Sequence, residues 1–335
     1  MNHDFTYILL AWFRDFGREL PWRGTKDAYA IWLSEIILQQ TRIQQGEAYW
    51  HRFMQRFPTV EMLAAASEDE VLRLWQGLGY YSRARNLHAA AQQIVAAGAF
   101  PQTLEGIRAL KGVGDYTAAA IASIAFGIDA AAVDGNVYRV LARHFGIATP
   151  INSTEGKREF TALAQALLPH GQAGTFNQAL MDFGAIQCTP QSPRCTVCPL
   201  AETCAALRSG QVESLPAKLQ KTKVQERRLA YIYIRCKDET PIRRRPAGDI
   251  WQGLWEPVEL SVLPTGLHGQ LLAKDVKHVL THRILYADFY FMEVIEKPSL
   301  PEGYIWVKES ALDDYAKPRL IEKLLEKVVM MPSPR

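Results

Sequence analysis

Four cysteines crowd into 17 residues as Cys188-x6-Cys195-x2-Cys198-x5-Cys204. Thiolates at that density suit a sulfur-only tetrahedral metal site or an iron–sulfur cluster. A zinc ribbon pairs two CxxC knuckles, and only one CxxC occurs here, so zinc fits less well. The plain alternative is four buried, unliganded thiols. The fifth cysteine, Cys236, falls in an alternating apolar run and reads as a core residue.

Two carboxylates could do acid–base work. On a helix, Glu35 has Ile31, Trp32, Leu38 and Gln39 as nearest neighbours. Three of these are apolar, so an ionised Glu35 would be poorly solvated and its pKa should rise, the condition for a general acid near neutral pH. Pairing with an arginine elsewhere in the chain is an equal alternative. Asp134, in Val133-Asp134-Gly135-Asn136-Val137, reads as the N-cap of the next helix. An ordinary cap explains it, but a carboxylate there could also stand beside a positive charge developing on a sugar.

Three turns could touch a polyanion or a base stack. Leu110-Lys111-Gly112-Val113-Gly114-Asp115-Tyr116 sets two glycines between helices. Such a hairpin could hold a phosphate through backbone amides at the start of the following helix. A packing corner would look the same. Gln39-Gln40-Thr41 closes a helix, where glutamines are usually just solvated. Gly77-Leu78-Gly79-Tyr80-Tyr81 presents apolar and aromatic side chains that could wedge between bases or tuck against a core.

The elements that must position these residues divide the chain. Apolar residues recur at three- and four-residue spacing over 5–16, 29–45, 61–75, 86–97, 116–126, 137–145, 157–168 and 175–183. Ser67 with Glu70 forms a capping box, and Thr154 precedes Lys157 as a weaker cap. Residues 209–228 are polar and read as a linker. Beyond them the period becomes two over 229–236, 286–295 and 304–307, with a closing helix near 319–328, so the tail reads as a small α+β domain.

Composition narrows the function classes. The 335 residues, 48% hydrophobic and 22% charged, exclude wholesale disorder and a fibrous repeat. Clustered cysteines argue against a secreted disulfide framework. The longest charge-free apolar stretch, 116–128, is too short for a bilayer, which needs ~20 residues. The N-terminus lacks a basic n-region, so the expectation is a cytoplasmic protein without a signal peptide. Net charge is +3, with 18 basic and 19 acidic residues up to position 215 and 20 and 16 beyond it. The sum gives no reason to expect a nucleic-acid partner.

Taken in order, LPWR at 20–23, SEIILQQT at 34–41, GLGYYSRARNL at 77–87, LKGVGDYTA at 110–118, VDGNVYRV at 133–140 and the four-cysteine cluster resemble the adenine DNA glycosylases. These belong to the helix–hairpin–helix glycosylases related to endonuclease III, and the likeness spans about residues 5–205. It implies a multidomain protein: an all-α helix–hairpin–helix core over 1–208, with the hairpin at 110–118 and a 4Fe–4S cluster on the 188–204 loop. It implies excision of adenine mispaired with 8-oxoguanine or guanine in double-stranded DNA, after base flipping, by a monomer. If the source is bacterial, the protein would be nucleoid-associated.

Residue roles follow from the same resemblance. Glu35 matches the general acid and Asp134 the carboxylate facing an oxocarbenium-like sugar, a nucleic-acid counterpart of a retaining glycosidase. Tyr116 and Asn136 match residues supporting the sugar and Asp134. Trp22, Arg23, Leu38 and Gln178 match the adenine pocket. Gln40, Leu78 and Tyr80 match residues inserted into the duplex, and Gly112, Val113 and Gly114 the phosphate-holding hairpin. Cys188, Cys195, Cys198 and Cys204 match the cluster ligands. Endonuclease III carries a Schiff-base lysine where this chain has Tyr116, so a monofunctional glycosylase is expected. The competing readings are a catalytically silent lesion-binding protein and an endonuclease III-like pyrimidine glycosylase with lyase activity.

The segment 229–335 resembles the Nudix-like domain with which that family reads 8-oxoguanine, through Arg243-Arg244-Arg245-Pro246 and 250–256. A hydrolytic Nudix box needs G-x5-E-x7-R-E-x2-E-E. Gly253 and Glu259 supply the first pair, but Leu267-His268 replace Arg-Glu, so binding without pyrophosphate hydrolysis is expected. The lesion-reading loop, often Phe-Ser-His, is Leu280-Thr281-His282 here. Threonine keeps a hydroxyl for the lesion. Leucine loses ring stacking, worth ~1–3 kcal/mol at comparable sites.

Overall fold

The computed structural model describes residues 2–219, 224–264 and 266–329. The first 208 residues carry helices α1 (Asn2–Phe16), α2 (Ala28–Leu38), α3 (Ile43–Arg56), α4 (Val60–Ala65), α5 (Glu68–Trp75), α6 (Ser82–Ala96), α7 (Leu104–Arg108), α8 (Asp115–Phe126), α9 (Gly135–Phe145), α10 (Thr154–Leu167), α11 (Ala173–Asp182) and α12 (Ala205–Arg208). The long helix expected over 29–45 is two helices. The chain breaks at Gln39–Arg42, with Gln40 in the left-handed region at φ 56°. The helix expected over 61–75 likewise divides into α4 and α5, with Ser67 capping α5 by accepting the Glu70 N–H. Apolar spacing carries across both breaks, so periodicity alone joined them. The cap of α10 is Ser153, one position before Thr154, and it accepts the Gly156 N–H.

Contacts cluster the chain into two compact units, one of residues 1–65 and 89–220, the other of 66–88 and 221–335. In the first, α2 is buried over Tyr29–Ile37 and α8 over Thr117–Ile124. Helices apolar on every side belong in a core, and α2 packs on both α3 and α8. A second core joins α1, α9, α10 and α11 through Phe5, Leu9, Leu141, Phe160 and Phe176. Buried Leu215 reaches this core, and the Ile151 amide donates to Ala217 O at 3.0 Å. Described residues in the first half of the expected linker therefore belong to the helical unit. The apolar Leu215 outweighs the polar composition around it.

The second unit is built on a mixed sheet. Its strands are β1 (Gln225–Cys236), β2 (Glu239–Arg244), β3 (Trp255–Glu256), β4 (Val258–Glu259), β5 (Gln270–Val279), β6 (Arg283–Val294) and β7 (Tyr304–Lys308), in the order β3-β2-β1-β6-β5, with β7 on β2 and β4 on β1. The pair β1–β6 is parallel and runs from Gln225 opposite Arg283 to Cys236 opposite Val294. The end of the expected linker is thus strand. Helix α13 (Arg319–Val329) turns Leu320, Ile321 and Leu324 onto the sheet core of Tyr231, Tyr233 and Phe289. Strand β5 escapes a period-two reading because its register shifts twice, near Ala273 and Val276, and Asp275 sits at φ 52°.

Candidate functional site

Nine of the residues singled out above line one cleft of about 640 Å³ in the helical unit: Trp22, Arg23, Glu35, Leu38, Gln40, Tyr116, Asp134, Asn136 and Gln178. That volume is in the usual range for small-ligand sites, ~300–1,000 Å³.

Glu35 projects from the core helix α2 and is 8% exposed. Burial pushes its carboxyl up to about 7. The Tyr116 hydroxyl, donating to Glu35 Oε2 at 3.0 Å, pulls the other way, the Asp134 charge adds to the rise, and Arg23 opposes it. Tyr116 is itself pushed well above the ordinary phenol value by burial. Its hydroxyl also lies 3.2 Å from Met181 Sδ.

Asp134 is the N-cap of α9, as the sequence indicates. Its Oδ1 accepts the amides of Asn136 and Val137, both at 2.8 Å, and its Oδ2 accepts Asn136 Nδ2 at 2.8 Å. Burial raises its pKa and these three donors lower it, leaving it above the ordinary value. Asn136 is held in turn by Arg139, whose Nη2 donates to Asn136 Oδ1 at 2.9 Å and to Gly184 O at 2.6 Å. A Cβ on Gly184 would fall 2.6 Å from Asn136 Cβ, so only glycine admits this contact.

Three positioning residues escape sequence reading. Asp182, wholly buried, accepts Arg23 through both Nη atoms at 2.7 and 2.8 Å. It also accepts the Arg18 amide at 2.9 Å and Arg18 Nε at 2.8 Å. Burial would raise the Asp182 carboxyl, but Arg23 and Arg18 hold it below the ordinary value. Asn177, also buried, takes the Ala132 amide and donates to Ala130 O, fixing the segment that enters Asp134. Arg139 is the third. Nothing local marks any of them, because their partners lie far along the chain or depend on the cap geometry.

In the hairpin, Gly112 adopts φ 78°, which favours glycine. The space a side chain on Gly114 would fill is open, so a ligand can approach the backbone at the head of α8. Val113 is buried. Neither glycine lines the cleft.

Cys188, Cys195, Cys198 and Cys204 line one small cavity and are free thiols. Burial raises Cys195 and Cys198, the latter to about 11, and neighbouring thiols add to both shifts. Arg143 approaches Cys188 Sγ at 3.5 Å and binds Thr189 O at 2.7 Å and Pro190 O at 3.0 Å, bracing the loop. Among the described residues no three His, Cys, Asp or Glu side chains are arranged around a single ion. Four thiols gathered at one cavity are a donor set that an iron–sulfur cluster would fit.

Leu78, Tyr80, Leu280, Thr281 and His282 line a second cleft, also of about 640 Å³, within the unit of residues 66–88 and 221–335. The hydroxyls of Tyr80 and Thr281 are hydrogen-bonded. Asp249, on the same cleft, is pulled down to about 2, chiefly by the Arg227 hydrogen bond. Among the described residues no helix is long and apolar enough to cross a membrane.

Residues 33–167 match the HhH-GPD superfamily of base excision DNA repair proteins, and residues 230–327 match a NUDIX domain. The chain is 44% identical over 220 residues to the adenine DNA glycosylase of Homo sapiens, a match covering 62% of this chain and 40% of that one. It is 34% identical over 257 residues to the adenine DNA glycosylase of Buchnera aphidicola subsp. Acyrthosiphon pisum (strain APS), covering 76% and 73%. The match thus spans less than half the length of the human relative and about three quarters of the bacterial one. Among solved structures, a thermostable thymine-DNA glycosylase superposes with a TM-score of 0.58 at 31% identity, covering 62% of this chain and 97% of that one. Endonuclease III from a non-covalent DNA complex gives 0.54 at 22% identity, covering 63% and 98%, a likeness of fold alone.

Proposed function

This chain belongs to the adenine DNA glycosylase family, and from that premise we propose that it is a monofunctional glycosylase acting as a monomer on double-stranded DNA. Its substrate is adenine opposite 8-oxoguanine or guanine. The observation that carries the proposal is a carboxyl with a pKa near 7, Glu35, in one cleft with an amide-held carboxylate, Asp134.

The adenine is flipped out of the stack into the cleft, against Trp22, Leu38 and Gln178. Gln40 and Tyr80 enter the duplex and the amides of the 112–114 hairpin take a phosphate, whereas Leu78, buried at 7% exposure, would have to leave its packing to join them. Protonated Glu35 gives its proton to N7. The bond between C1′ and N9 breaks with its electron pair leaving on the base, which departs as neutral adenine. Asp134 stands opposite the cation left on the sugar. Its Oδ1 is fixed by two amides and its Oδ2 by Asn136, so little reorganisation is needed as charge develops. Water adds at C1′, its proton passes to a carboxylate, and an abasic site remains.

Cys188, Cys195, Cys198 and Cys204 hold a 4Fe–4S cluster, which when bound supplies metal–thiolate bonds that cross-tie the 188–204 loop. About four irons per chain are expected. The second unit, lacking the Arg-Glu of the Nudix box, reads 8-oxoguanine through Thr281 and His282.

The decisive experiment is single-turnover excision on a duplex containing adenine opposite 8-oxoguanine. Free adenine and a strand that breaks only after alkali are expected, with negligible borohydride trapping of protein on DNA. Efficient trapping would overturn the monofunctional reading, which rests on Tyr116. Binding without release of adenine would instead favour a silent lesion-binding protein.

A further inference from the structure

The second cleft carries aromatic surface that the 280–282 loop does not account for. Trp251 lines it with φ 60°, in the left-handed region. A bulky residue is held there only when its surroundings over-determine it. The surroundings are an ionic brace. Two residues earlier, Asp249 accepts Arg227 at 2.6 Å, Arg245 at 2.7 Å and the Ile250 amide at 2.7 Å. Arg245 also donates from Nε to Ile250 O at 2.9 Å, and its guanidinium stands 5.8 Å from the centre of the Trp251 ring. Behind it, buried Glu256 receives Arg245 and, at 2.9 Å, the Tyr231 hydroxyl. The Trp251 and His278 rings are in edge-type contact, centroids 5.8 Å apart at 63°.

The indole is half-buried against the sheet core, and a strained turn clamped by several charge-assisted hydrogen bonds is more than that packing requires. Strain of this kind collects where a ligand is gripped, and precise sites rest on braced side chains. The clamp fixes a large aromatic side chain on the lining of a cleft that Thr281 also lines. Leu280, at the head of that loop, has no π-face to offer.

We propose that Trp251, braced by Asp249 and Arg245, is the ring against which the purine opposite the excised adenine stacks in this cleft, leaving Thr281 to read its oxidised edge. The assignment rests on the reading of the second unit given above, and its test separates the two. Single-turnover rates are measured on adenine opposite 8-oxoguanine and opposite guanine, for the unaltered chain, Trp251→Phe, Trp251→Leu and the double variant Trp251→Leu, Leu280→Phe. Both single changes fill most of the indole volume, and only phenylalanine keeps a ring.

The preference ratio should hold within about threefold in Trp251→Phe and fall about tenfold in Trp251→Leu. It should recover in part in the double variant. An indole that merely packs would give equal ratios in the Phe and Leu variants, and that result overturns the proposal. So does a ratio that falls equally in both with unchanged thermal melting, since a ring would then not be what matters. If the unaltered chain shows no preference for 8-oxoguanine, the reader function itself fails; if it shows one that Trp251→Leu keeps, only the role of Trp251 fails.

Discussion

The two clefts have the same volume and opposite electrostatics. In the helical unit, Glu35 is buried on a largely apolar helix, the neutral Tyr116 phenol donates to it, and its carboxyl rises to about 7. On the other cleft, Asp249 is clasped by arginines and falls to about 2. One side chain class is thus tuned in two directions by burial and partners. A carboxyl left short of partners is ready to move a proton. A carboxylate saturated with guanidinium groups is inert and serves as a brace. On the proposed function, the first cleft works by proton transfer and the second by shape, stacking and hydrogen bonding.

Removing the acid should produce the largest effect. Glu35→Gln keeps the shape and removes the proton, and single-turnover excision should fall ~10²–10⁴-fold, the usual contribution of a general acid. A fall of less than tenfold would remove Glu35 from the chemistry. The pH dependence follows from the same shift. Above about 7, Glu35 loses its proton and excision should decline roughly tenfold per pH unit, while the raised Asp134 sets an acid limb below. Stability runs with it. Because the folded pKa of Glu35 lies above its usual 4.5, the native state binds the extra proton between pH 4.5 and about 7, and stability falls as pH rises through that window. Glu35→Gln should therefore melt progressively higher than the unaltered chain over that window, with a constant gap above it. Asp249 has the reverse sign. Its contribution is complete above the usual 3.8 and is lost as pH falls toward 2.

Next in size are the carboxylates that only brace. Asp182 is wholly buried beneath Arg18 and Arg23, whereas the Asp249 side chain is 28% exposed. Stranding buried guanidinium groups typically costs ~3–5 kcal/mol. Asp182→Asn should approach that range in urea unfolding, and Asp249→Asn should cost less because the Asp249 carboxylate is itself partly solvated and buried Arg245 keeps Glu256 as a partner. Equal costs would mean that burial is not what separates the two braces.

The same contrast explains what could be read from the residues alone. Glu35 was legible because its environment is local: Ile31, Trp32 and Leu38 surround it on its own helix, and α2 is buried as that pattern implies. Asp134 was legible because a cap binds the amides two and three positions on. Arg23 lines the cleft with Glu35, but its anchor could not be read, since Asp182 lies 159 positions away with no local mark. The helix breaks at Gln40 and after Ala65 interrupt no apolar period. Strand β2 contains Pro241, which argues against a strand, yet Pro241 pairs opposite Trp306. The association of residues 66–88 with the C-terminal strands rests on long-range pairs such as Arg244 with Glu68 at 2.8 Å, and spacing cannot announce these.

The reader loop should give a smaller effect than either carboxylate. Tyr80 is 47% exposed and hydrogen-bonded to Thr281, so the loop makes its contacts where water competes. Thr281→Ala with His282→Ala should lower the preference for 8-oxoguanine over guanine about tenfold, the worth of one or two net hydrogen bonds. Excision opposite guanine should change less. An unchanged ratio would take the loop out of lesion reading and leave the second cleft without its assigned polar contact.

The smallest effect tests the tuning itself. Tyr116 has one hydroxyl proton and two candidate acceptors, Glu35 Oε2 at 3.0 Å and Met181 Sδ at 3.2 Å. A carboxylate is the stronger acceptor, and in giving its proton there Tyr116 stabilises the ionised form of Glu35. Tyr116→Phe removes that donor and leaves burial, so the Glu35 pKa should move further above 7. The alkaline limb of the excision profile should shift upward by less than about one pH unit, because a single neutral donor contributes ~1 kcal/mol. The plateau rate should change by less than the Glu35→Gln loss. A downward shift would mean that the phenol raises the acid's pKa. No shift with an intact plateau would mean that the hydroxyl spends its proton on Met181, and that burial, with the Asp134 charge adding and Arg23 opposing, separates Glu35 from the arginine-clasped Asp249.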